Sequence, residues 1–259
     1  MLFLRTRGEY QGAVIPLSDD NPTARTPIIT ILIIMALAGV WIFVQGAGAD
    51  PGLLAATVCN FGLVPGELTH LAPLGQSVPL GLGMSCAVDN EPVNVLTPLT
   101  SMFLHGSWMH LLGNALFLWV FGNNVEDSMS RVRFVVFYLI CGLAAAAAQV
   151  IVQPGSPVPM VGASGAISGM LGGYLMLFPH AKVNMFFVVF VTKLPAWLVL
   201  IYWIGVQVVS GLPMVTGAER SVASGVAFFA HIGGFVAGVA LIRLFANRTH
   251  LTPHHRMFR

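Results

Sequence analysis

The chain has 259 residues, of which 56% are hydrophobic and only 8% charged, with a formal net charge of +2 and a mean hydropathy of +0.81. Soluble domains carry roughly 25% charged residues, so a water-soluble globule is excluded, and so sparse a set of basic side chains offers no nucleic-acid-binding surface. The composition is that of a polytopic membrane protein, with the lipid bilayer as its first partner.

Taken in chain order, residues 1–26 form a short N-terminal segment that carries Arg5 and Arg7 but lacks the apolar run and small-residue cleavage site of a signal peptide. The first span is therefore expected to stay in place. Apolar stretches near the ~20 residues needed to cross a bilayer occupy 27–44, 108–122, 134–152, 163–178, 195–211 and 225–246. Six spans are favoured over five or seven, because the short second and fourth extend into adjoining residues and 186–191, ahead of the fifth, reads as an interfacial stretch. The expectation is an all-α fold: a six-helix membrane domain over 27–246 with an outer loop at about 46–98, then a basic tail at 247–259.

Basic residues accumulate on the cytoplasmic side of short loops. With the N-terminus inside, eleven of the twelve Lys and Arg residues fall at or beyond the inner boundary and only Arg220 lies outside. Both termini are thus expected in the cytoplasm. The outer loop has no Lys or Arg, carries Asp50, Glu67, Asp89 and Glu91, and is crowded with Pro and Gly, so short helices and turns are the most it should form. Cys59 and Cys86 both lie in it, where an oxidising compartment permits either a disulfide or two free thiols, while Cys141 sits in the third span. His250, His254 and His255 in the tail read as a solvated or headgroup-facing set rather than a metal site.

Two spans carry residues that hydrocarbon does not tolerate without reason. Ser164 stands in a Gly-Ala-Ser-Gly turn, Gly162 to Gly165, that opens the fourth span, and His231 lies near the start of the sixth. Both follow outer loops; at 1.5 Å per residue, a histidine some six residues into its span sits on the order of 9 Å below the outer end. Small residues spaced four apart let helices approach closely in lipid: Gly165, Gly169 and Gly173 in the fourth span, Gly234 and Gly238 in the sixth. Ser164 and His231 can therefore meet as nucleophile and base. The predicted spans contain no Asp or Glu, so the orientation of His231 must come from packing and hydrogen bonds. His110 and Asn114 lie four residues apart on one face of the second span. Together with the Ser164 backbone N–H at a helix N-terminus they are expected as oxyanion donors, the alternative being polar residues that only bond helix to helix.

Three segments, His110-Leu-Leu-Gly-Asn114, Gly162-Ala-Ser-Gly165 and Ala230-His-Ile-Gly-Gly-Phe-Val-Ala-Gly238, resemble in order and separation those of rhomboid intramembrane serine proteases. Ser101-Met-Phe-Leu-His105 and the stretch Gly122 to Asp127 are similar to bacterial members. The resemblance implies a six-helix bundle in a bacterial cytoplasmic membrane that cleaves transmembrane segments of other proteins near their outer ends, with no metal or cofactor. It implies a Ser164–His231 dyad, an oxyanion hole of His110, Asn114 and the Ser164 amide, a turn shaped by Gly162, and a supporting role for His105. By the same analogy the fifth span and the loop 212–224 would be gate and cap.

The chain also departs from the pattern. Some family members stack a tyrosine, four residues after the nucleophile, on the histidine; here that position is Ser168, leaving Phe228, Phe229 or no ring to replace it. The outer loop also lacks the Trp-Arg pair of those members. Zinc and aspartyl protease patterns are missing, and a channel or transporter would not require these four polar residues to converge. The remaining rival is a silent relative that binds transmembrane clients.

Overall fold

The computed structural model describes residues 14–81, 84–89, 94–187, 189–216 and 226–247. Strand β1 (Val14–Asp19) precedes helix α1 (Ile28–Gly39), which runs on through a π turn, Val40–Val44. In the outer loop, α2 (Pro51–Phe61) starts with proline in its first turn behind Asp50, whose carboxylate accepts from the amides of Gly52 and Leu53. A short α3 (Pro65–Leu68) and a hairpin of β2 (Ser77–Gly81) and β3 (Met84–Ala87) follow. A disulfide between Cys59 and Cys86 ties α2 to β3.

After α4 (Thr97–Thr100), α5 (Trp108–Phe117) continues through a π turn, Leu118–Gly122, into α6 (Asn123–Asp127). Next come α7 (Arg131–Val152), α8 (Ser164–Leu177), strands β4 (Lys182–Phe187) and β5 (Phe190–Pro195), α9 (Ala196–Thr216) and α10 (Phe228–Phe245).

Among the described residues three helices are long and apolar enough to cross a membrane: Arg131–Val152, Ala196–Pro213 and Phe228–Phe245. Ile28–Val44 and Ser164–Leu177 are shorter apolar helices. At 1.5 Å per residue α8 is roughly 21 Å long, less than the ~30 Å of hydrocarbon. Its neighbours sheathe it, since every residue from Gly165 to Tyr174 is buried. Outward faces of α7, α9 and α10 present Ile151, Val209 and Leu244, each more than two thirds exposed. Such surface is stable against lipid and not against water.

The fold is mostly helical, but two small antiparallel sheets amend the all-α expectation. In one, β4 lies between β1 and β5, with Val14 opposite Phe187 and Lys182 opposite Pro195. Of the stretch expected at the interface, Phe186 and Phe187 end β4 and Phe190 and Val191 begin β5, with Phe187 opposite Phe190. Lys182-Val-Asn-Met alternates polar and apolar side chains with the period of a strand. Phe186 and Phe187 complete β4, and β5 opens with Phe190, Val191 and Thr192.

Packing is tightest where α8, α10 and α7 meet. A Cβ on Gly234 would lie 2.0 Å from the carbonyl oxygen of Gly165, and one on Gly238 2.0 Å from that of Gly169. Backbone thus touches backbone along the α8–α10 seam, a distance only glycine permits. At the end of α8 remote from Ser164, the Asp19 carboxylate accepts from the Tyr174 hydroxyl (2.5 Å) and the Asn124 amide (2.8 Å). Burial pushes this carboxyl up to about 6, although the Tyr174 bond pulls it down. At the same end Glu126 accepts from the amides of Ile29 and Thr30 and from the Thr30 hydroxyl. It satisfies donors that α1 leaves open and places a carboxylate at that helix's positive end. Arg25 pairs with Asp127 at 3.1 Å.

Candidate active site

The site is assembled where the first turns of α5, α8 and α10 come together. Gly162 has φ +122°, and a Cβ there would lie 2.6 Å from Nε2 of His110. Glycine is required for both reasons. The Gly162 amide donates to the Ser101 carbonyl at 2.8 Å, which fixes the turn that delivers Ser164 as the first residue of α8. Ser164 Oγ lies 2.8 Å from Nε2 of His231, one turn into α10. The glycine seam described above sets that distance, because Gly234 sits three residues beyond His231 and rests on the Gly165 carbonyl.

His110 and Asn114 occupy one face of α5, whose N-cap Ser107 accepts from the His110 amide at 3.1 Å. The Asn114 side-chain nitrogen lies 3.5 Å from the point a Gly162 Cβ would fill. It bonds to Nε2 of His105 at 3.0 Å and retains a second N–H. The His105 and His110 rings meet edge to face at 5.1 Å. His105 is fully buried. Its backbone is held on both sides by Gln45, whose amide nitrogen donates to the His105 carbonyl and whose oxygen accepts from the His105 amide, each at 2.8 Å.

Three residues that sequence reasoning missed stand here. Gln45 is one. Gln207 of α9 is the second, with Oε1 2.8 Å from Nδ1 of His231. Trp203, one turn earlier on the same face, is the third, with its ring 5.7 Å from the imidazole and inclined at 42°. Trp203, not Phe228 or Phe229, is thus the ring beside His231. Ser168 is fully buried and donates to the Ser164 carbonyl at 2.6 Å, filling the stacking position with a backbone bond. A polar residue inside an apolar span was the available signal for Gln207.

Among the described residues no group of three or more His, Cys, Asp or Glu side chains is arranged to hold a metal. The tail histidines and positions 217–224 of the expected cap lie outside the described residues. Chemically, the arrangement offers a hydroxyl bonded to an imidazole, beside side-chain and backbone donors.

These features define an integral membrane protein with a polar cluster set into its helices. The Rhomboid domain family model matches residues 93–248, and the chain belongs to the rhomboid family. It is similar to RHOMBOID-like protein 4 of Arabidopsis thaliana, 30% identical over 152 residues, covering 59% of this chain and 34% of the relative. Rhomboid-like protease 3 of Toxoplasma gondii is 30% identical over 164 residues, 63% of this chain and 56% of the relative. Rhomboid protease GluP of Bacillus subtilis is 42% identical over 77 residues, 30% of this chain and 15% of the relative. The chain spans about a third of the length of the Arabidopsis relative.

Proposed function

We propose that the protein is an intramembrane serine endopeptidase that hydrolyses peptide bonds in or near transmembrane segments of other membrane proteins. The observation that carries this reading is the 2.8 Å contact between Ser164 Oγ and His231 Nε2, which joins a hydroxyl to an imidazole inside a bundle poor in polar side chains. His231 takes the Ser164 proton as Oγ attacks the scissile carbonyl, then returns it to the leaving amine. His110, the free N–H of Asn114 and the Ser164 amide receive the oxyanion. Water entering from the outer face then hydrolyses the acyl-enzyme. His105, anchored by Gln45, holds Asn114 in line, and Gly162 keeps the turn open beside His110.

In this reading residues 27–246 are a six-crossing membrane domain, with 1–26 and 247–259 in the cytoplasm of a bacterial cell, as the basic-residue bias and the motif likeness imply. The second crossing is the continuous run through α5 and α6, and the fourth is the sheathed α8. Substrates with Pro or Gly near the outer end are favoured, because they unwind and release carbonyls that a helix keeps bonded.

Purified protein in lipid vesicles, given a panel of single-span substrates, tests the proposal. The native chain should cut near the outer end of a span, and Ser164→Ala and His231→Ala should each lose at least about 10³-fold in turnover. Equal inactivity of all three with retained binding would support a silent client-binding protein instead.

A further inference from the structure

We infer that Gln207 is a positioning residue for His231, selecting the tautomer in which the Nε2 lone pair faces Ser164 and thereby replacing the carboxylate that a triad would supply. This deepens the protease reading and rests on it.

A neutral imidazole carries one proton, on either nitrogen, and only the form protonated at Nδ1 can act as base through Nε2. The amide oxygen of Gln207 is an acceptor and lies 2.8 Å from Nδ1, so it favours that form. Gln207 is 7% exposed, and in such surroundings one hydrogen bond exerts more control than it would in water. Trp203 borders the ring from one turn earlier on α9, so one helix face supplies both the bond and the packing surface. Ser168 has no ring to stack on the imidazole, and its hydroxyl is committed to the Ser164 carbonyl.

The neighbours leave this role to Gln207. Gln149 of α7 donates nothing to the ring; its oxygen accepts from the Ala230 amide at 3.3 Å. Ser164 and Ser168 of α8 and Trp203 of α9 are uncharged, and among the described residues the titratable side chain whose charge reaches His231 is His110 of α5.

The test joins a spectroscopic signature to kinetics. In protein labelled with ¹⁵N-histidine and reconstituted in lipid at neutral pH, His231 should show a protonated Nδ1 and a bare Nε2. Gln207→Leu should mix the two tautomers. Gln207→Leu should also lower kcat by about 10- to 100-fold with KM within about twofold, less than the about 10⁴-fold known where a charged triad partner is neutralised. Gln207→Glu preserves shape and adds charge; it should retain activity while the acidic limb of the rate profile moves up by about one pH unit or more, because a carboxylate beside the ring favours the imidazolium.

The spectrum does not depend on cleavage, so it tests Gln207 even if the protease reading fails. A bare Nδ1 in the native chain overturns the inference. Native kcat in Gln207→Leu together with an unmoved acidic limb in Gln207→Glu overturns it too.

Discussion

A methyl group on Gly162 would enter the space between the His110 ring and the start of α8, at a φ that side chains rarely adopt. Gly162→Ala should therefore shift the turn that carries Ser164 and lower kcat by about 10². Substrate turnover alongside thermal unfolding checks this: an unfolding temperature near native with the loss in kcat is expected, whereas native kcat would show that the turn does not position the nucleophile. Ser164, His231, His110 and Asn114 were legible in the sequence because each is a polar group in an apolar setting, at a spacing that helical geometry brings together. Gln207 too is a polar group in an apolar span, but its role, like the roles of Gln45 and Trp203, was not legible, because these roles depend on the rotation of α9 and on where α1 ends. No local pattern encodes either.

The seam between α8 and α10 is set by glycines in contact with backbone; the period-four spacing marked Gly165, Gly169, Gly234 and Gly238 in advance, whereas Gly172 rather than the expected Gly173 meets α10 backbone. Gly238→Ala would drive a Cβ to 2.0 Å from the Gly169 carbonyl oxygen, so the helices must part, at a cost of about 1–3 kcal/mol. Thermal unfolding in detergent should show this loss. Gly205→Ala, where nothing lies within 4 Å of the added carbon, should equal or exceed native stability, and identical behaviour of the two variants would contradict the seam. The β1–β4–β5 sheet was not legible, since its alternation is short, lies beside apolar runs, and joins strands more than 160 residues apart. Its docking should depend on pH. The docked Asp19 carboxyl titrates near 6 against 3.8 unperturbed, so the extra proton affinity favours docking most below pH 3.8, and this contribution is lost as pH rises through about 6. Hydrogen exchange of β1 amides, corrected for intrinsic rates, should show more protection at pH 5 than at 7.5. Asp19→Asn should flatten that difference; a persistent difference would assign it to another group.

Composition identifies lipid as the solvent of the whole molecule, and in the proposed topology the asymmetry of Lys and Arg puts the two ends of the bundle on opposite sides. The β1 sheet, Arg25 and the Glu126–Asp127 pair gather at one end, while the start of α8 lies at the other with the Cys59–Cys86 loop, to which paired backbone bonds between Leu63 and Met160 tie it. The short α8 is already visible in the sequence, but its enclosure by neighbouring helices, which keeps a helix of that length out of contact with lipid, is contained in no window of its own sequence. Sidedness and chemistry can be read in one measurement. A membrane-impermeant fluorophosphonate is added to either face of sealed vesicles of known protein orientation, and the adduct is mapped by mass spectrometry. An adduct on Ser164 is expected only when the reagent meets the face of the Cys59–Cys86 loop, and it should be lost in His231→Ala. Labelling from the opposite face, labelling that survives in His231→Ala, or no adduct on Ser164 would contradict it.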